Sequence, residues 1–437
     1  MKRTVMLIFA VGLLALASCK KDGTPDWQPD HHGKPEHEKS DVATDWYNLQ
    51  TRILLERNSA LNGVHFAYIG IGLYESVRHG IKNSLSFSTK LNQMPAMPAK
   101  ENNNGYNWEL SANAALASMV RQFYQGLTDA NKVSIDSLEN AYNKKNAGSP
   151  SATLKRSQVF GRNIADAIYK WYLTDNLNAS NAGFVLPPPA PGGWVPTPPA
   201  FVPLPVLPFI SSARLMVASN TTTVAPAFAP YSENSKSDFY KIVKKVYDVN
   251  KSLTQQQKDI ALFYVDQGNG VGYTPPGHDF LMLTQAIQQT RRDLFTAAEA
   301  YAKAGIAERD ATIICFREKY KNFLVRPVTY IRKLIDPDWL PLIPTPPHPE
   351  YPAAHALITG AVMQAAARVL GNNVAFTDAS YSFRGYAPRS FKSLFAAGEE
   401  AGISRLYGGI HYQPSVNTGL ALAKEIGNKI GDVKLYE

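Results

Sequence analysis

The sequence predicts an all-α protein that carries one long, proline-rich loop. Apolar residues recur three and four positions apart in several segments, such as SANAALASMVRQFYQGL and SQVFGRNIADAIYKWYL, and this is the spacing of one buried helix face. No stretch alternates apolar and polar residues over the length of a strand, so we expect no substantial sheet. The 437 residues are 45% hydrophobic, which is enough to bury a large core in one big domain or two smaller ones.

The first residues predict an exported lipoprotein. Lys2 and Arg3 precede the apolar run 5–17, which is shorter than the roughly 20 residues that span a bilayer and is typical of a signal peptide. The next residues, Leu-Ala-Ser-Cys, end at Cys19 and resemble a bacterial lipobox, in which the cysteine is acylated. We therefore predict a signal peptide over 1–18, lipidation at Cys19 and a membrane anchor, with the outer membrane as the location. An ordinary secretory signal is the alternative.

The rest of the chain divides into a tether and a helical domain. Residues 19–43 are polar, contain Pro and Gly and lack periodicity, so we predict a flexible tether there. The helical domain is assigned to 44–437. Within it, the segment 184–230 is too rich in proline for a helix and too apolar for a free linker. We expect an ordered loop that lies across the helices near the site.

Charge and cysteine content exclude some classes of function. The formal charge is +9, and loss of Lys2 and Arg3 with the signal peptide lowers it by two, to +7. No basic cluster is interleaved with aromatic residues, which argues against nucleic-acid binding. Cys315 has no obvious disulfide partner, and we expect it to be a small core residue and not a nucleophile.

Cations and imidazoles concentrate in three segments of the last third. In KYKNFLVRP, Lys319 and Arg326 are seven residues apart, so we expect both to project from one face of a helix that Pro327 ends. In HPEYPAAHA, three prolines precede a helical pattern closed by Gly371, which places His355 in the first turn of a helix. Unpaired backbone N–H groups favour bound anions there, and their positive field lowers the pKa of a histidine.

The third segment, SRLYGGIHYQPS, adds Arg405 and His411 on either side of a diglycine turn. Together the three segments supply three cations, two histidines and a helix N-terminus, with few acidic side chains. This composition favours a tetrahedral oxyanion over a divalent metal, which would require carboxylates or thiolates. The residues therefore predict an oxyanion pocket with two imidazoles, within 315–420.

This set of residues resembles the pattern shared by vanadium-dependent haloperoxidases and type-2 phosphatidic acid phosphatases (PAP2). That pattern is Lys, six residues, Arg-Pro; then Pro-Ser-Gly-His; then Ser-Arg, five residues, His, three residues, Asp. This chain has Lys319–Arg326–Pro327, then Pro352-Ala353-Ala354-His355, then Ser404-Arg405 with His411 and Ser415. The segments GWVPTPP, TPPGH and SRLYGGIHY favour the bacterial haloperoxidase branch. The resemblance covers residues 45–437 and implies two packed helical bundles with the anion pocket in the second.

The resemblance also implies a role for each residue that would hold vanadate. His411 would bond the vanadium, or would attack phosphorus in a phosphatase, where phosphate occupies the same site. Lys319, Arg326 and Arg405 would hold the non-bridging oxygens, and the backbone N–H of Ala354 would assist them.

Two further histidines and three departures from the pattern complete the comparison. His355 would be the general acid–base, and His348 is a candidate for the halide site. Ala353 replaces a serine, which removes a hydroxyl donor worth about 0.5–1.5 kcal/mol. Ala354 replaces a glycine and keeps the N–H if the local φ suits a residue with Cβ. Ser415 replaces the aspartate that orients the vanadium-binding histidine, so we expect that histidine to have a weaker partner.

Three functions remain open at this point. The leading hypothesis is a vanadate-dependent peroxidase that oxidises halide with hydrogen peroxide. The second is an exported acid phosphatase that works on a phosphate ester through a phosphohistidine at His411. The third is a lipoprotein that binds an oxyanion without turnover.

Overall fold

Helices dominate the computed structural model, which describes residues 36, 38–56, 62–101, 104–266 and 271–437. In chain order these residues form α1 (Asp41–Leu55), α2 (Asn62–Val77), α3 (Trp108–Phe123), α4 (Asp129–Lys145), α5 (Ser151–Tyr172), α6 (Asp238–Lys251), α7 (Gln255–Phe263), α8 (Pro275–Gln289), α9 (Leu294–Asn322), α10 (Pro327–Leu334), α11 (Ala354–Leu370), α12 (Leu394–Tyr407) and α13 (Gln413–Gly431). Two short strands, β1 (Phe376–Asp378) and β2 (Arg389–Phe391), pair antiparallel between α11 and α12. The prediction of an all-α fold without a substantial sheet is confirmed.

Polar caps fix where several helices begin. The side chain of Asn107 accepts a hydrogen bond from the backbone N–H of Leu110 at the start of α3, and Asp293 does the same for Thr296 at the start of α9. At α8, Thr274 is the cap and two prolines follow it. Such caps satisfy N–H groups that the helix itself leaves unpaired.

The long helix α9 is central and is shared by two groups of helices. The helices α2, α3 and α5 pack together, with α2 against α9, whereas α11 packs against α9, α12 and α13. Glycines permit the close approach of α2 and α9: a Cβ on Gly70 would lie 2.6 Å from the carbonyl oxygen of Tyr301, and one on Gly305 would lie 2.7 Å from Cα of Ala67. The second group of helices carries the candidate site.

The N-terminal boundary of the helical domain lies slightly earlier than the sequence pattern indicates. Helix α1 begins at Asp41, three residues before 44, and both Val42 and Ala43 are fully buried. The backbone N–H of Leu294 also donates to the carbonyl oxygen of Glu38 (2.8 Å). The predicted signal peptide, the acylated cysteine and most of the tether lie outside the described residues. None of the helices that the structure describes is long and apolar enough to span a membrane.

The proline-rich segment between α5 and α6 is an ordered loop, as predicted. The backbone N–H of Trp194 donates to the carbonyl oxygen of Phe323, and that of Val325 donates to Gly192 (both 2.8 Å). Farther along, the N–H of Val206 donates to the carbonyl oxygen of Pro347 (3.0 Å). The loop therefore holds two of the chain segments from which the site is built.

Candidate active site

A cavity of about 490 Å³ lies where α9, the starts of α8 and α11, the end of α12 and His411 meet the prolines at 344, 346 and 347. Its wall includes five of the residues that the sequence singles out: His348, Ala354, His355, Arg405 and His411. Lys319 and Arg326 are fully buried next to this wall but do not line the cavity.

The N-terminus of α11 opens into the cavity. Ala353 is the N-cap residue and provides no side-chain cap, so the first N–H groups of the helix lack that partner. Ala354 begins the helix without a positive φ, so its Cβ is accommodated and its N–H remains a donor. The methyl group of Ala353 packs with Ala356 and Val416 in a small apolar cluster. His355 lies in the first turn, as predicted.

Lys319 and Arg326 do not share a helix face, and the prediction that they do is wrong. Helix α9 ends at Asn322, and Phe323 then adopts a left-handed conformation with φ of 45°. Arg326 is the extended N-cap residue of α10, whose first residue is Pro327. Proline suits the first position of a helix because its missing N–H has no partner there in any case. Pro327 therefore starts a helix instead of ending one.

Lys319 supports the loop that carries His348 and Glu350. Its ammonium group donates to the carbonyl oxygens of Pro349 (2.9 Å), Glu350 (2.8 Å) and Pro352 (2.6 Å). These three bonds use all three N–H donors of a lysine. Burial lowers the pKa of Lys319 to about 7. In this conformation Lys319 acts on the site through the loop, and any direct contact with an anion would require it to give up a carbonyl.

Arg326 lies between the two imidazoles. One terminal nitrogen is 3.2 Å from Nε2 of His411 and donates to the carbonyl of Ile410 (2.9 Å), and the other is 3.0 Å from Nδ1 of His348. A guanidinium can only donate, so Nε2 of His411 accepts from Arg326. Nδ1 of His348 lies between this donor and the carbonyl oxygen of Pro349 (3.1 Å). Burial lowers the pKa of both histidines well below the usual value, and the neighbouring cations lower it further.

Glu350 is the carboxylate partner of His411, and the expectation of a weaker partner is therefore wrong. Oε1 of Glu350 is 2.8 Å from Nδ1 of His411 and accepts from the backbone N–H of Tyr412 (2.9 Å). The hydroxyl of Ser415, at the position of the missing aspartate, donates to Oε2 of Glu350 (2.6 Å). With Nδ1 donating to Glu350, neutral His411 has its lone pair on Nε2. Burial raises the pKa of Glu350 to about 7, against the opposing effect of Lys319.

Arg405 offers a donor that nothing else uses. One terminal nitrogen donates to the carbonyl oxygen of Tyr264, while Nε is buried and has no hydrogen-bond partner within the described ranges. Burial lowers the pKa of Arg405 to about 10, so the side chain stays charged at neutral pH. A buried guanidinium nitrogen without an acceptor is costly, and the residue that carries it contributes to the cavity wall.

His355 is tied to a chain of buried charges. Its Nε2 is 3.0 Å from Oδ2 of Asp266, whose Oδ1 lies 2.8 Å from Nδ1 of His278 and also accepts from the hydroxyl of Tyr381 (2.6 Å). Nε2 of His278 is 2.9 Å from Asp378. The two carboxylates raise the pKa of His278 well above its usual value despite its burial. Burial and then Arg405 lower the pKa of His355 to about 4, so His355 is a neutral base at pH 7.

Comparison with known proteins agrees with this geometry. Residues 299–435 match the family model of the VCPO second helical-bundle domain. The solved structure of the first bacterial vanadium-dependent iodoperoxidase superposes with a TM-score of 0.82 at 29% sequence identity, over 91% of this chain and 98% of that one. The matched second-bundle segment and this structural likeness support the vanadium haloperoxidase and PAP2-type superfamily.

A second solved structure, at lower sequence identity, shares the fold alone. A holo-type bacterial vanadium-dependent chloroperoxidase superposes with a TM-score of 0.63 at 13% identity, over 93% of this chain and 94% of that one. A search of curated protein sequences found no significant match. The similarities confirm the predicted superfamily and its helical-bundle fold.

The residues of the site fit vanadate, the group that the names of the similar structures imply. A tetrahedral oxyanion would meet the unpartnered Nε of Arg405 and the uncapped N–H groups that begin with Ala354. Nε2 of His411 would bond it in exchange for the hydrogen bond that this nitrogen accepts from Arg326. Arg326 would add charge from beside His411. All four groups are donors, cations or a metal-binding nitrogen, which is the set that such an anion requires.

Sequence reasoning missed three residues of this site. Glu350 stands two residues after His348 in the loop that drew attention, and it pairs with a histidine 61 residues away. Asp266 and His278 come from the regions before and at the start of α8. His278 lies in TPPGH, which was noted for its resemblance to haloperoxidases and assigned no role. The signal for Glu350 was its position, since a lone acid among prolines beside two histidines is rarely without a partner.

Proposed function

We propose that the protein is a vanadate-dependent haloperoxidase that uses hydrogen peroxide to oxidise a halide. The observation that carries this proposal is the contact between Glu350 and His411, which presents a neutral Nε2 lone pair beside Arg326 and near an unpartnered Arg405. The likeness to a haloperoxidase-like oxidoreductase along nearly the whole chain supports it. Because that relative is an iodoperoxidase, iodide is the first halide to test.

The reaction is X⁻ + H₂O₂ + H⁺ → HOX + H₂O, in which halide is oxidised and peroxide oxygen is reduced. When bound, vanadate supplies the Lewis-acidic centre that activates hydrogen peroxide. The protein supplies proton transfer: Nε2 of His355 faces Asp266, so Nδ1 is the nitrogen left to accept a proton from peroxide and to return it to the leaving oxygen. Arg405 and the N-terminus of α11 hold negative charge in place while this occurs.

Vanadate reconstitution tests the proposal. The full-length protein is loaded with vanadate, and triiodide formation from iodide and hydrogen peroxide is followed together with vanadate binding by calorimetry. His411→Ala should lose binding and activity, whereas His355→Ala should bind vanadate and lose about 10²–10⁴-fold in rate. Failure to oxidise any halide despite bound vanadate would refute the peroxidase. Hydrolysis of p-nitrophenyl phosphate in its place would indicate the phosphatase, and binding with neither activity would indicate an oxyanion-binding lipoprotein.

We also propose that His348 lies at the halide site. It lines the cavity, its ring centroid is 5.3 Å from that of Phe316, and burial keeps it neutral by lowering its pKa. Replacement by an apolar ring, His348→Phe, removes a polar group beside the position of the halide. We expect the ratio of iodide to bromide oxidation rates to change at least several-fold, with vanadate affinity retained. An unchanged ratio would place the halide elsewhere.

The cellular location remains the proposal that the N-terminal sequence supports: acylation at Cys19 and anchoring in the outer membrane. Expression with and without Cys19→Ala, followed by membrane fractionation, tests it. We expect the variant to leave the membrane fraction, and recovery of both proteins in the same fraction would contradict the anchor.

A further inference from the structure

The cavity extends past the anion-binding residues along α9 to a buried acid. Glu308, Thr312 and Phe316 are spaced four apart, so they lie on one face of the helix, and all three line the cavity. At about 1.5 Å per residue, Glu308 is about 12 Å along the helix from Phe316. Phe316 in turn contacts the ring of His348. One cavity therefore joins the proposed halide site to Glu308.

Glu308 is an acid without a counter-charge. Its side chain is 2% exposed, Oε1 accepts from the hydroxyl of Thr312 (3.2 Å), and Oε2 has no partner among the residues described. The adjacent Arg309 donates instead to Asp175 and to the carbonyl oxygen of Arg214. Burial raises the pKa of Glu308 to about 7. Because buried carboxyl oxygens are rarely left unpaired, this one points to a ligand that donates a hydrogen bond.

A second buried acid, Asp279, interacts with Glu308. Asp279 on α8 is also buried, and its Oδ2 has no hydrogen-bond partner in the described part of the chain. The charge of Glu308 contributes to the raised pKa of Asp279, with burial as the larger cause. A ligand that brings a positive charge would stabilise the ionised form of Glu308, so such a ligand is favoured over a neutral or an anionic one.

The walls between the two ends suit a flat apolar group. Leu207, Ile343 and Ile358 line the cavity, together with prolines of the 344–347 loop and of the α8 start. A cavity of about 490 Å³ is within the range that holds small organic ligands. An aromatic ring in this space would lie between the acid and the proposed halide site.

We propose that this end of the cavity is an organic-substrate subsite, in which Glu308 binds the ammonium group of a small aromatic amine. The use made of this ligand depends on the proposed haloperoxidase function. With iodide, the enzyme forms HOI from hydrogen peroxide, and the bound ring then reacts as Ar–H + HOI → Ar–I + H₂O. The ring carbon gains iodine, and its proton leaves with the hydroxide of HOI as water. Halogenation would then take place on a held substrate, before the oxidant diffuses away.

Calorimetry on the full-length protein with three matched probes tests the subsite. Tyramine carries the ammonium group, 4-ethylphenol lacks it, and 3-(4-hydroxyphenyl)propionate has a carboxylate in its place. We expect tyramine to bind at least tenfold more tightly than 4-ethylphenol and the propionate not to bind. Glu308→Gln should remove the preference for tyramine, because the amide keeps the shape and loses the charge. Glu399→Gln, at an exposed position on α12, is the control and should change nothing.

The outcomes separate this proposal from the haloperoxidase proposal. Tyramine binding that depends on Glu308, in a protein that oxidises no halide, would support the subsite and refute the peroxidase. Iodide oxidation without a tenfold preference for tyramine, or with the preference intact in Glu308→Gln, would refute the subsite and leave the peroxidase standing. If Glu308→Gln proves unfolded by thermal melting, the comparison of the three probes on the unaltered protein still decides, since equal binding of all three overturns the proposal.

Discussion

Replacing Glu350 by glutamine should weaken vanadate binding while leaving the fold intact. In Glu350→Gln the amide oxygen can still accept from Nδ1 of His411 and from the N–H of Tyr412, which share Oε1. The new amide N–H₂ would face the hydroxyl of Ser415, and that hydroxyl can accept as well as donate. The substitution therefore removes one charge and preserves the geometry of three hydrogen bonds.

The size of the effect follows from the strength of the bond that is lost. A hydrogen bond to a charged group contributes about 1.5–3 kcal/mol, compared with about 0.5–1.5 kcal/mol for a neutral one. Loss of the partner that orients a metal-binding histidine typically costs 10–100-fold in affinity, or about 1.4–2.7 kcal/mol. We therefore expect the Kd for vanadate to rise about 10–100-fold. Because burial raises the pKa of Glu350, its ionisation destabilises the fold as pH rises towards 7, and the amide removes that destabilisation.

Calorimetric titration at pH 8 measures the affinity of Glu350→Gln for vanadate, and thermal melting at the same pH measures the stability of its fold. The matched control is Glu75→Gln, because Glu75 is also fully buried and accepts from a serine hydroxyl, a backbone N–H and a cation, Arg78. It lies at the end of α2, where it has no contact with the cavity. The control should alter melting and leave the Kd for vanadate unchanged.

Equal affinity in Glu350→Gln and the unaltered protein would refute the reasoning. A double variant tests the role of the charge separately. Glu350→Gln combined with Ser415→Asp places a carboxylate at position 415, where the superfamily pattern has its aspartate. We expect the double variant to regain at least part of the lost affinity. No recovery would mean that the loop position, and not the charge alone, is required.

Four other outcomes follow from the contacts around His355. Arg405→Lys should raise the Kd for vanadate about tenfold in calorimetry, since a compact ammonium group lacks the planar fork of donors with which a guanidinium holds the carbonyl of Tyr264 and the anion together; an unchanged Kd would contradict this role. The pH profile of kcat/KM should fall on the acid side near pH 4, where protonation of His355 removes the base. His278→Gln removes a cation that lowers the pKa of His355, so the midpoint of this acid limb should move to higher pH. An unchanged midpoint would mean that His278 does not affect the pKa of His355. The same variant leaves Asp266 short of its partner and should lower the free energy of unfolding by about 3–5 kcal/mol at pH 6, where the raised pKa keeps His278 charged.

The helices and the loop could be predicted from sequence because their signals are local. Three-and-four spacing of apolar residues marks α3 and α5, and proline density marks the loop between α5 and α6. The start of α11 was equally clear from prolines that precede a periodic segment. The seven-residue spacing of Lys319 and Arg326 led to a wrong prediction of a shared helix face, because that spacing also fits a continuous helix. The break occurs at Phe323, where a residue with Cβ adopts positive φ, and residue type alone does not indicate this.

The acids of the site could not be predicted, because their partners are distant in sequence. Glu350 meets His411 across 61 residues, and Asp266 meets His355 across 89. These contacts depend on how loops fold back over the helix bundle. The superfamily pattern has an aspartate where this chain has Ser415, and from that difference we predicted a weaker partner for His411. In the structure the carboxylate is supplied from another loop, and the serine bonds to it.

The composition of the cavity wall has a consequence for the lifetime of the enzyme. Apart from its polar groups, the wall consists of valine, leucine, isoleucine, alanine, proline and one phenylalanine, and among the described residues it contains no methionine, cysteine, tryptophan or tyrosine. Thioethers and thiols are readily oxidised, and phenol and indole rings are readily halogenated. A hypohalous acid formed here would thus find few protein groups to consume it. In the proposed haloperoxidase, the apolar side chains nearest the oxidant are ones that resist it, which would slow inactivation of the protein by its own product.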